Sequence, residues 1–568
     1  MAFPKELLTL SKLISAHGIE EVIICPGSRN APLIVSFERN KELKTYSLVD
    51  ERSAAFFAIG RAIITKKPIA ICCTSGSAGL NMAPAIVEAF HQEIPILVLT
   101  ADRPAEWIDQ WDGQTIRQEN FLATVVKKSY NFPVSNPANP NTSWFQERLL
   151  NEALIQLVSN KKGPIHINIP IIEPFYPAKG EEFKFPEKIK KVQFLNFKKT
   201  NSLFLQEFFK SQKFADKKIL ISIGQMDDTE SILPLLENLQ NKGVVCVGDT
   251  TSNGANHVIQ NHDLVLANES NWSKLSPHIV IHIGKSHVSK RIKLFLRAQK
   301  HASTWWINEG DNEQIVDNFQ NLSQIFNCKT LEFLTELNTN LSNSKYQNSF
   351  SGIWKELSNI VSKKQMDFLN KSQETWSELI AVNSILKYIS QRPSSLFLGN
   401  SLSVRYSNWL PFQTTSAHFI YCNRGTSGIE GSLSTYVGAN VENTNLSYLM
   451  IGDLSFQYDK NGLWNQYLNP NLRIIVLNNS GGGIFRNLEG AKDLPELESL
   501  ISTRQTNSAQ NTANDAGLHY LAVHSNAELH ENLVKLSSKS NSGMILEVFT
   551  NPDTNANVLA EYMNLFKS

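Results

Sequence analysis

The sequence predicts an α/β protein built from three doubly wound parallel-sheet domains. Short apolar runs of strand length alternate with helix-length segments along most of the chain, the pattern of parallel strands joined by crossover helices. Most runs stop abruptly in turns of Gly, Ser, Asn and Asp, residues that punctuate a strand before a helix begins. A chain of 568 residues is also too long to bury one ordinary core; at about 150 residues per domain it divides into three or four.

The first domain is expected over residues 1–175. Leu7, Leu10, Leu13 and Ile14 fall at helical intervals, and this helix closes near Gly18. Residues 21–25 read as a strand, and Pro26-Gly27-Ser28-Arg29-Asn30 turns into a helix beginning near Ala31. The unit recurs as strand 47–50 with helix 51–64, strand 69–73 with Thr74-Ser75-Gly76-Ser77-Ala78 and a helix to His91, and strand 95–100 with Ala101-Asp102-Arg103-Pro104. The sheet is expected to end near Pro170, and its strand ends carry Ser28, Arg29, Glu51, Ser75 and Arg103 to the edge where open α/β sheets collect ligands. Glu51 heads an Ala-rich helix suited to close packing; a first-turn Glu is also what the helix dipole alone favours.

A linker rich in Pro, Glu and Lys is expected over 176–200, approached through Ile172 and Pro174 and ending at Lys199; its lysines read as solvated. The central domain, 201–337, takes its strands from 217–224, 244–249, 262–268, 280–284 and 303–308. Gly284-Lys285-Ser286 is a partial phosphate-loop match, but Ile279 stands where the first Gly is needed, so a nucleotide site is rejected. Lys290, at the head of a helix, is placed either to reach an anion or to sit as a surface lysine.

A linker and helical segment, 338–375, leads to the last domain, 376–568, with strands at 396–399, 418–421, 447–452, 473–477 and 543–549. Two of its strand ends are followed closely by an arginine, Arg405 and Arg424. Residues 448–485 read as strand, helix, strand, the first strand ending at Gly452-Asp453 and the second at Asn478-Asn479-Ser480-Gly481. Parallel pairing brings both ends to one edge, making Asp453 and Asn479 neighbours. A carboxylate, an amide oxygen and a carbonyl from a Gly-rich turn suit a hard divalent cation that keeps positions open for phosphate oxygens. The same residues also make ordinary ligand-free turns.

A formal net charge of +1 gives no reason to invoke nucleic acid or an acidic membrane surface. The six cysteines contain no Cys-x-x-Cys and several lie in apolar runs, as expected of reduced, buried thiols in a cytoplasmic protein. No apolar stretch has the length of a signal-peptide core or a membrane span, and no solenoid repeat is visible.

The Gly-Asp pair followed by a double Asn resembles the thiamine diphosphate (ThDP) motif. ICPGSRNAP, DERSAAFFAIG, TSGSA, LTADRP, the IRQ triplet, GNSLSVR, NRGTSGIEGSLSTYVG, IGDLSFQYD and NNSGGGIF, in that order over all three domains, resemble the 2-succinyl-5-enolpyruvyl-6-hydroxy-3-cyclohexene-1-carboxylate (SEPHCHC) synthase family of the menaquinone pathway. The resemblance implies domains of the ThDP-enzyme type, pyrimidine-binding, central and diphosphate-binding in order. It also implies a homodimer or dimer of dimers, with active sites at the subunit boundary. Glu51 would hydrogen-bond N1′ of the aminopyrimidine and favour the imino tautomer that deprotonates C2. Asp453, Asn479 and the Gly481 carbonyl would hold Mg²⁺ or Mn²⁺. Ser75, Leu454, Ser455 and Phe485 would line the cofactor, and Ile429 would wedge beneath it as a stiff aliphatic side chain.

The implied reaction decarboxylates 2-oxoglutarate and adds the succinyl carbanion equivalent in 1,4 fashion to isochorismate. Both substrates are dicarboxylates, which calls for forked arginine donors. Ser401, Arg405 and Arg424 are expected on the 2-oxoglutarate side, and Ser28, Arg29, Arg103, Gln114 and Lys290 on the isochorismate side, with Arg117 and Phe485 as further candidates. Any of these arginines could instead serve a structural ion pair. Gly113-Gln114 departs from the expected Asn-Gln, so one amide contact to isochorismate is missing or supplied elsewhere. Two alternatives keep the same cofactor motif or fold. One is another ThDP enzyme, such as an acetohydroxyacid synthase or a 2-oxoacid decarboxylase, with a less cationic pocket; the other is a non-catalytic binding or regulatory subunit, which would be expected to have lost the activator or a metal ligand.

Overall fold

A computed structural model describes residues 4–567 apart from 135–138, 160, 174, 178, 182, 195–201, 311–313 and 416. Pro174, Lys199 and parts of the expected 176–200 linker therefore lie outside the described residues. The chain forms two compact units, one of Met1–Phe197, Asn423–Asn443 and Asp459–Asn469, the other of Lys198–Cys422, Thr444–Tyr458 and Pro470–Ser568.

The first unit holds a six-stranded sheet made of β1 (Glu21–Ile24), β2 (Lys44–Ser47), β3 (Ile69–Cys73), β4 (Ile96–Asp102), β5 (Lys128–Asn131) and β6 (Ile165–Pro170). Its order is β2-β1-β3-β4-β6-β5, and every pairing is parallel. Central strands such as β4 are buried along their whole length, because helices cover both faces. The helix Glu51–Thr65 crosses the helix Ser432–Asn440 of the same unit at very short range: a Cβ on Gly60 would lie 2.1 Å from the Thr435 carbonyl oxygen, and one on Gly438 2.2 Å from that of Phe57. Glycine is required at this crossing by space alone, and the crossing fixes the helix that begins with Glu51.

The second unit holds two sheets. One is five-stranded: β7 (Ile219–Ile223), β8 (Val245–Gly248), β9 (Ile279–Ile283), β10 (Ser303–Ile307) and β11 (Leu322–Phe326), in the order β11-β10-β9-β7-β8. The other is six-stranded: β12 (Ser395–Leu398), β13 (Phe419–Cys422), β14 (Ser447–Gly452), β15 (Leu472–Asn478), β16 (His519–Val523) and β17 (Met544–Phe549), in the order β13-β12-β14-β15-β17-β16. These sheets are also wholly parallel, and one buried cluster containing Leu220, Val280, Leu396 and Ile475 runs through both. No helix among the described residues is long and apolar enough to cross a membrane.

Three sequence expectations need correction. Residues 262–268 are not a strand: His262–Val265 is a helix, and a short run buried on every side has no periodicity to tell the two apart. The second strand of the first sheet lies at Lys44–Ser47 instead of 47–50, because at the edge of the sheet most of the strand stays open and needs no continuous apolar run. Edge strands β5, β11 and β16 went unread for the same reason.

Candidate functional site

The β14 and β15 ends meet as their parallel register requires, Gly452 standing opposite Leu477. Asp453 follows directly as the first residue of the helix Asp453–Asp459 and is only 3% exposed. Its Oδ1 accepts from the Leu454 amide at 2.8 Å, and its Oδ2 accepts from the Gly481 amide at 2.9 Å and from Gln505 Nε2 at 2.6 Å. Burial pushes the Asp453 pKa up to about 6, against the pull of these donors. Asn479 donates through Nδ2 to Glu378 at 2.6 Å, which leaves its buried Oδ1 without a partner. The Gly481 carbonyl accepts from the Gly483 amide at 3.0 Å and retains a second lone pair. Gly481 itself sits at φ +144°, where a Cβ would lie 2.8 Å from the Ser502 carbonyl oxygen.

A buried carboxylate, an orphaned amide oxygen and a carbonyl are donors of the kind that Mg²⁺ or Mn²⁺ takes, so the residues present fit such an ion. Ser455 is buried beside Asp453, Leu454 is half-buried, and Phe485 lies half-buried in the turn Gly483–Asn487.

Three residues in this region escaped the sequence reading. Glu378, 1% exposed, heads the helix Glu378–Ser390, and burial raises its pKa to about 7. Glu547, also 1% exposed, accepts from Asn478 Nδ2 at 2.7 Å, Ser508 Oγ at 2.7 Å, the Ala509 amide at 2.9 Å and the Tyr520 hydroxyl at 2.7 Å. Gln505 reaches Asp453 from a loop. Glu547 carried a readable signal, a lone acid inside an apolar strand; Glu378 looks like any first-turn glutamate.

Ser401 and Arg405 of the same unit lie together: Ser401 precedes the helix Leu402–Trp409 at φ +69° without a side-chain capping bond, and Arg405 Nη1 donates to its carbonyl at 2.6 Å. Lys290 is the exposed first residue of the helix Lys290–Ala298.

In the first unit, Glu51 is half-buried at its helix start, which Asp50 caps by accepting from the Ser53 amide at 3.0 Å. Asn81 Nδ2 donates to Glu51 at 3.3 Å. Burial, with the Glu51 carboxylate next in effect, pushes the Cys25 thiol well up. Arg29, 3% exposed, donates to the Ile171 carbonyl at 2.7 Å and lies 4.5 Å from the Phe175 ring centre. Glu173 ties it to Arg103, at 3.5 Å from Arg29 and 3.8 Å from Arg103. Arg103 also meets Asp112 at 2.8 Å and donates to the Gly113 carbonyl at 2.8 Å. At the position that departs from the family pattern, a backbone oxygen thus engages the arginine.

Gln114, exposed at φ +54°, brings its backbone to 3.3 Å from where a Cβ on Gly76 would stand, beside buried Ser75, whose hydroxyl has no partner. Ser28 is exposed, and exposed Arg117 pairs with Asp109 at 2.8 Å. Half-buried Arg424 and Ile429, 40% exposed, share a loop that buried Glu88 grips by accepting from the Gly425 amide at 2.8 Å, the Thr426 amide at 2.6 Å and the Thr426 hydroxyl at 2.9 Å.

Residues 9–121 match the family model "Thiamine pyrophosphate enzyme, N-terminal TPP binding domain", and residues 190–398 match "Middle domain of thiamine pyrophosphate". The chain is 38% identical over 561 residues, 97% of each chain, to the 2-succinyl-5-enolpyruvyl-6-hydroxy-3-cyclohexene-1-carboxylate synthase of Cytophaga hutchinsonii. It is 37% identical over 573 residues to the enzyme of that name from Flavobacterium johnsoniae and 34% identical over 576 residues to that from Bacteroides thetaiotaomicron, with 99% of each chain covered in both cases.

Proposed function

We propose that this chain, which belongs to the SEPHCHC synthase family and is a ThDP-dependent carbon–carbon bond-forming enzyme, decarboxylates 2-oxoglutarate and joins the succinyl fragment to isochorismate by 1,4-addition. The observation that carries the reading is the orphaned Asn479 amide oxygen near the buried Asp453 carboxylate, on adjacent strand ends of a chain aligned to its relatives almost end to end. ThDP, when bound, would supply a nucleophilic carbon and an electron sink for decarboxylation.

The chain's own residues do the rest. Asp453, Asn479 and the Gly481 carbonyl would hold Mg²⁺ or Mn²⁺, with Leu454, Ser455 and Phe485 along the cofactor. Glu51 would hold a proton at N1′ of the aminopyrimidine, Ser75 would line that ring, and Ile429 would support the bent cofactor. Ser401, Arg405 and Arg424 would grip the carboxylates of 2-oxoglutarate; Ser28, Arg29, Arg103, Gln114 and Lys290 would receive isochorismate, with Arg117 and Phe485 nearby. The domain bounds 1–175, 201–337 and 376–568, a homodimer or homotetramer with interfacial active sites, and a cytoplasmic setting belong to the same reading.

The test is to incubate pure protein with ThDP, Mg²⁺, 2-oxoglutarate and isochorismate while following CO₂ release and isochorismate loss. Equimolar CO₂ release and isochorismate consumption are expected. Turnover of pyruvate instead would move the enzyme to another ThDP class, and no turnover of either would point to a binding subunit.

A further inference from the structure

We infer that Glu378, outside every motif of the site, is the positioning residue that decides which end of the Asn479 amide is free for the cation. The assignment rests on reading Asp453 and Asn479 as cation holders and deepens it. A carboxamide is nearly symmetric in shape and opposite in chemistry at its two ends: its oxygen can ligate a cation, whereas its NH₂ group, a double donor, cannot. Chain direction alone does not choose between the two orientations. A fixed acceptor on one side does.

Glu378 supplies that acceptor. Its Oε2 lies 2.6 Å from Asn479 Nδ2 and accepts from it, which turns the amide nitrogen toward Glu378 and the amide oxygen away. The carboxylate is itself fixed. The Tyr406 hydroxyl hydrogen-bonds to it, the Glu378 amide donates to Asn555 Oδ1 at 2.8 Å, and the side chain is 1% exposed. A small cavity of about 10 Å³ borders Tyr406, Asn479 and Asn555. What remains is Asn479 Oδ1, buried and unpartnered. Burying a third acid near Asp453 is unfavourable in itself, and fixing the amide gives it a purpose that packing does not. Outer residues that orient a metal ligand typically change metal affinity about 10–100-fold when removed.

The experiment is Mn²⁺ titration of the full-length protein with ThDP present, followed by electron paramagnetic resonance, on wild type, Glu378→Leu, Glu378→Gln and Asp453→Ala, with thermal melting as the check on folding. Glu378→Leu, which has no acceptor, should weaken Mn²⁺ binding about 10–100-fold. Glu378→Gln, which keeps an acceptor oxygen, should recover most of it, a rescue that a merely structural role does not predict. If the Leu variant does not fold, Glu378→Ala takes its place in the same comparison. Wild-type Mn²⁺ affinity in the acceptor-less variant, alongside weakened binding in Asp453→Ala, overturns the role of Glu378 alone. Equal weakening by Leu and Gln overturns the orientation argument in favour of charge. Unchanged binding in Asp453→Ala overturns the reading of the cation site itself.

Discussion

The first and third sheets have the same strand order, β2-β1-β3-β4-β6-β5 and β13-β12-β14-β15-β17-β16, yet their strand ends carry different chemistry. In the first, Glu51 is half-buried and Glu173 spans Arg29 and Arg103, while Ser75 is buried with its hydroxyl unpartnered. In the third, Asp453 and Glu378 are 3% and 1% exposed, and burial raises both carboxyl groups, to about 6 and about 7. Topology delivers residues to an edge; depth decides their use. A buried acid without a neighbouring cation is held at a cost that a divalent ion would offset, whereas a half-open acid is free to exchange a proton with a ligand.

The largest expected effect tests that division directly. If Glu51 has its proposed proton-handling role, Glu51→Gln should lower turnover about 10²–10⁴-fold while calorimetry shows ThDP and Mg²⁺ binding close to wild type. Asp453→Ala should do the reverse in order of cause, weakening Mg²⁺ and ThDP binding at least about 10-fold, with activity partly restored at high cofactor concentration. Should both variants lose binding, or both keep it, the two strand-end chemistries would not be separate.

The parts of this comparison differ in how far the sequence revealed them. The central strands β3, β4, β14 and β15 are continuous apolar runs ending in turn residues, so both the fold and the positions of Asp453 and Asn479 were readable, whereas Glu51 was legible from its helix start alone because the strand before it is an edge strand. Edge strands were not readable, because β2 and β5 are polar and mostly open, and look like loops. Glu378 and Glu88 were hidden for another reason. Each acts on a segment about 100 residues or more away in the chain, Glu378 on Asn479 and Glu88 on Gly425 and Thr426, and only tertiary pairing distinguishes such an acid from a surface one.

A smaller effect is expected at the crossing that supports the Glu51 helix. Gly60→Ala places a methyl 2.1 Å from the Thr435 carbonyl oxygen, backbone that cannot swing aside. Overpacking of this kind costs about 1–3 kcal/mol, so the melting temperature should fall by several degrees. An unchanged melting temperature would mean that the two helices separate freely, and that Glu51 is held by its cap alone.

The smallest effect asks whether depth, and not membership of one sheet, is what raises an acid. Asp459 is fully buried in the first unit, accepting from the Ser434 amide at 2.7 Å and the Ser434 hydroxyl at 2.8 Å, and burial lifts its pKa from 3.8 to about 6. Its folded form holds the proton more tightly than its unfolded form, so stability from this group is present below about pH 4 and is lost as pH rises toward 6. A tenfold difference in proton affinity is worth about 1.4 kcal/mol, and relaxation of a buried site reduces the total, so a change of about 1 kcal/mol is expected. Asp459→Asn keeps an acceptor for Ser434 and removes the titration. The melting temperature of wild type relative to this variant should therefore decline between pH 4 and pH 7, while parallel pH profiles would show that a buried acid in the first unit ionises as readily as one in water and that depth is not the deciding variable.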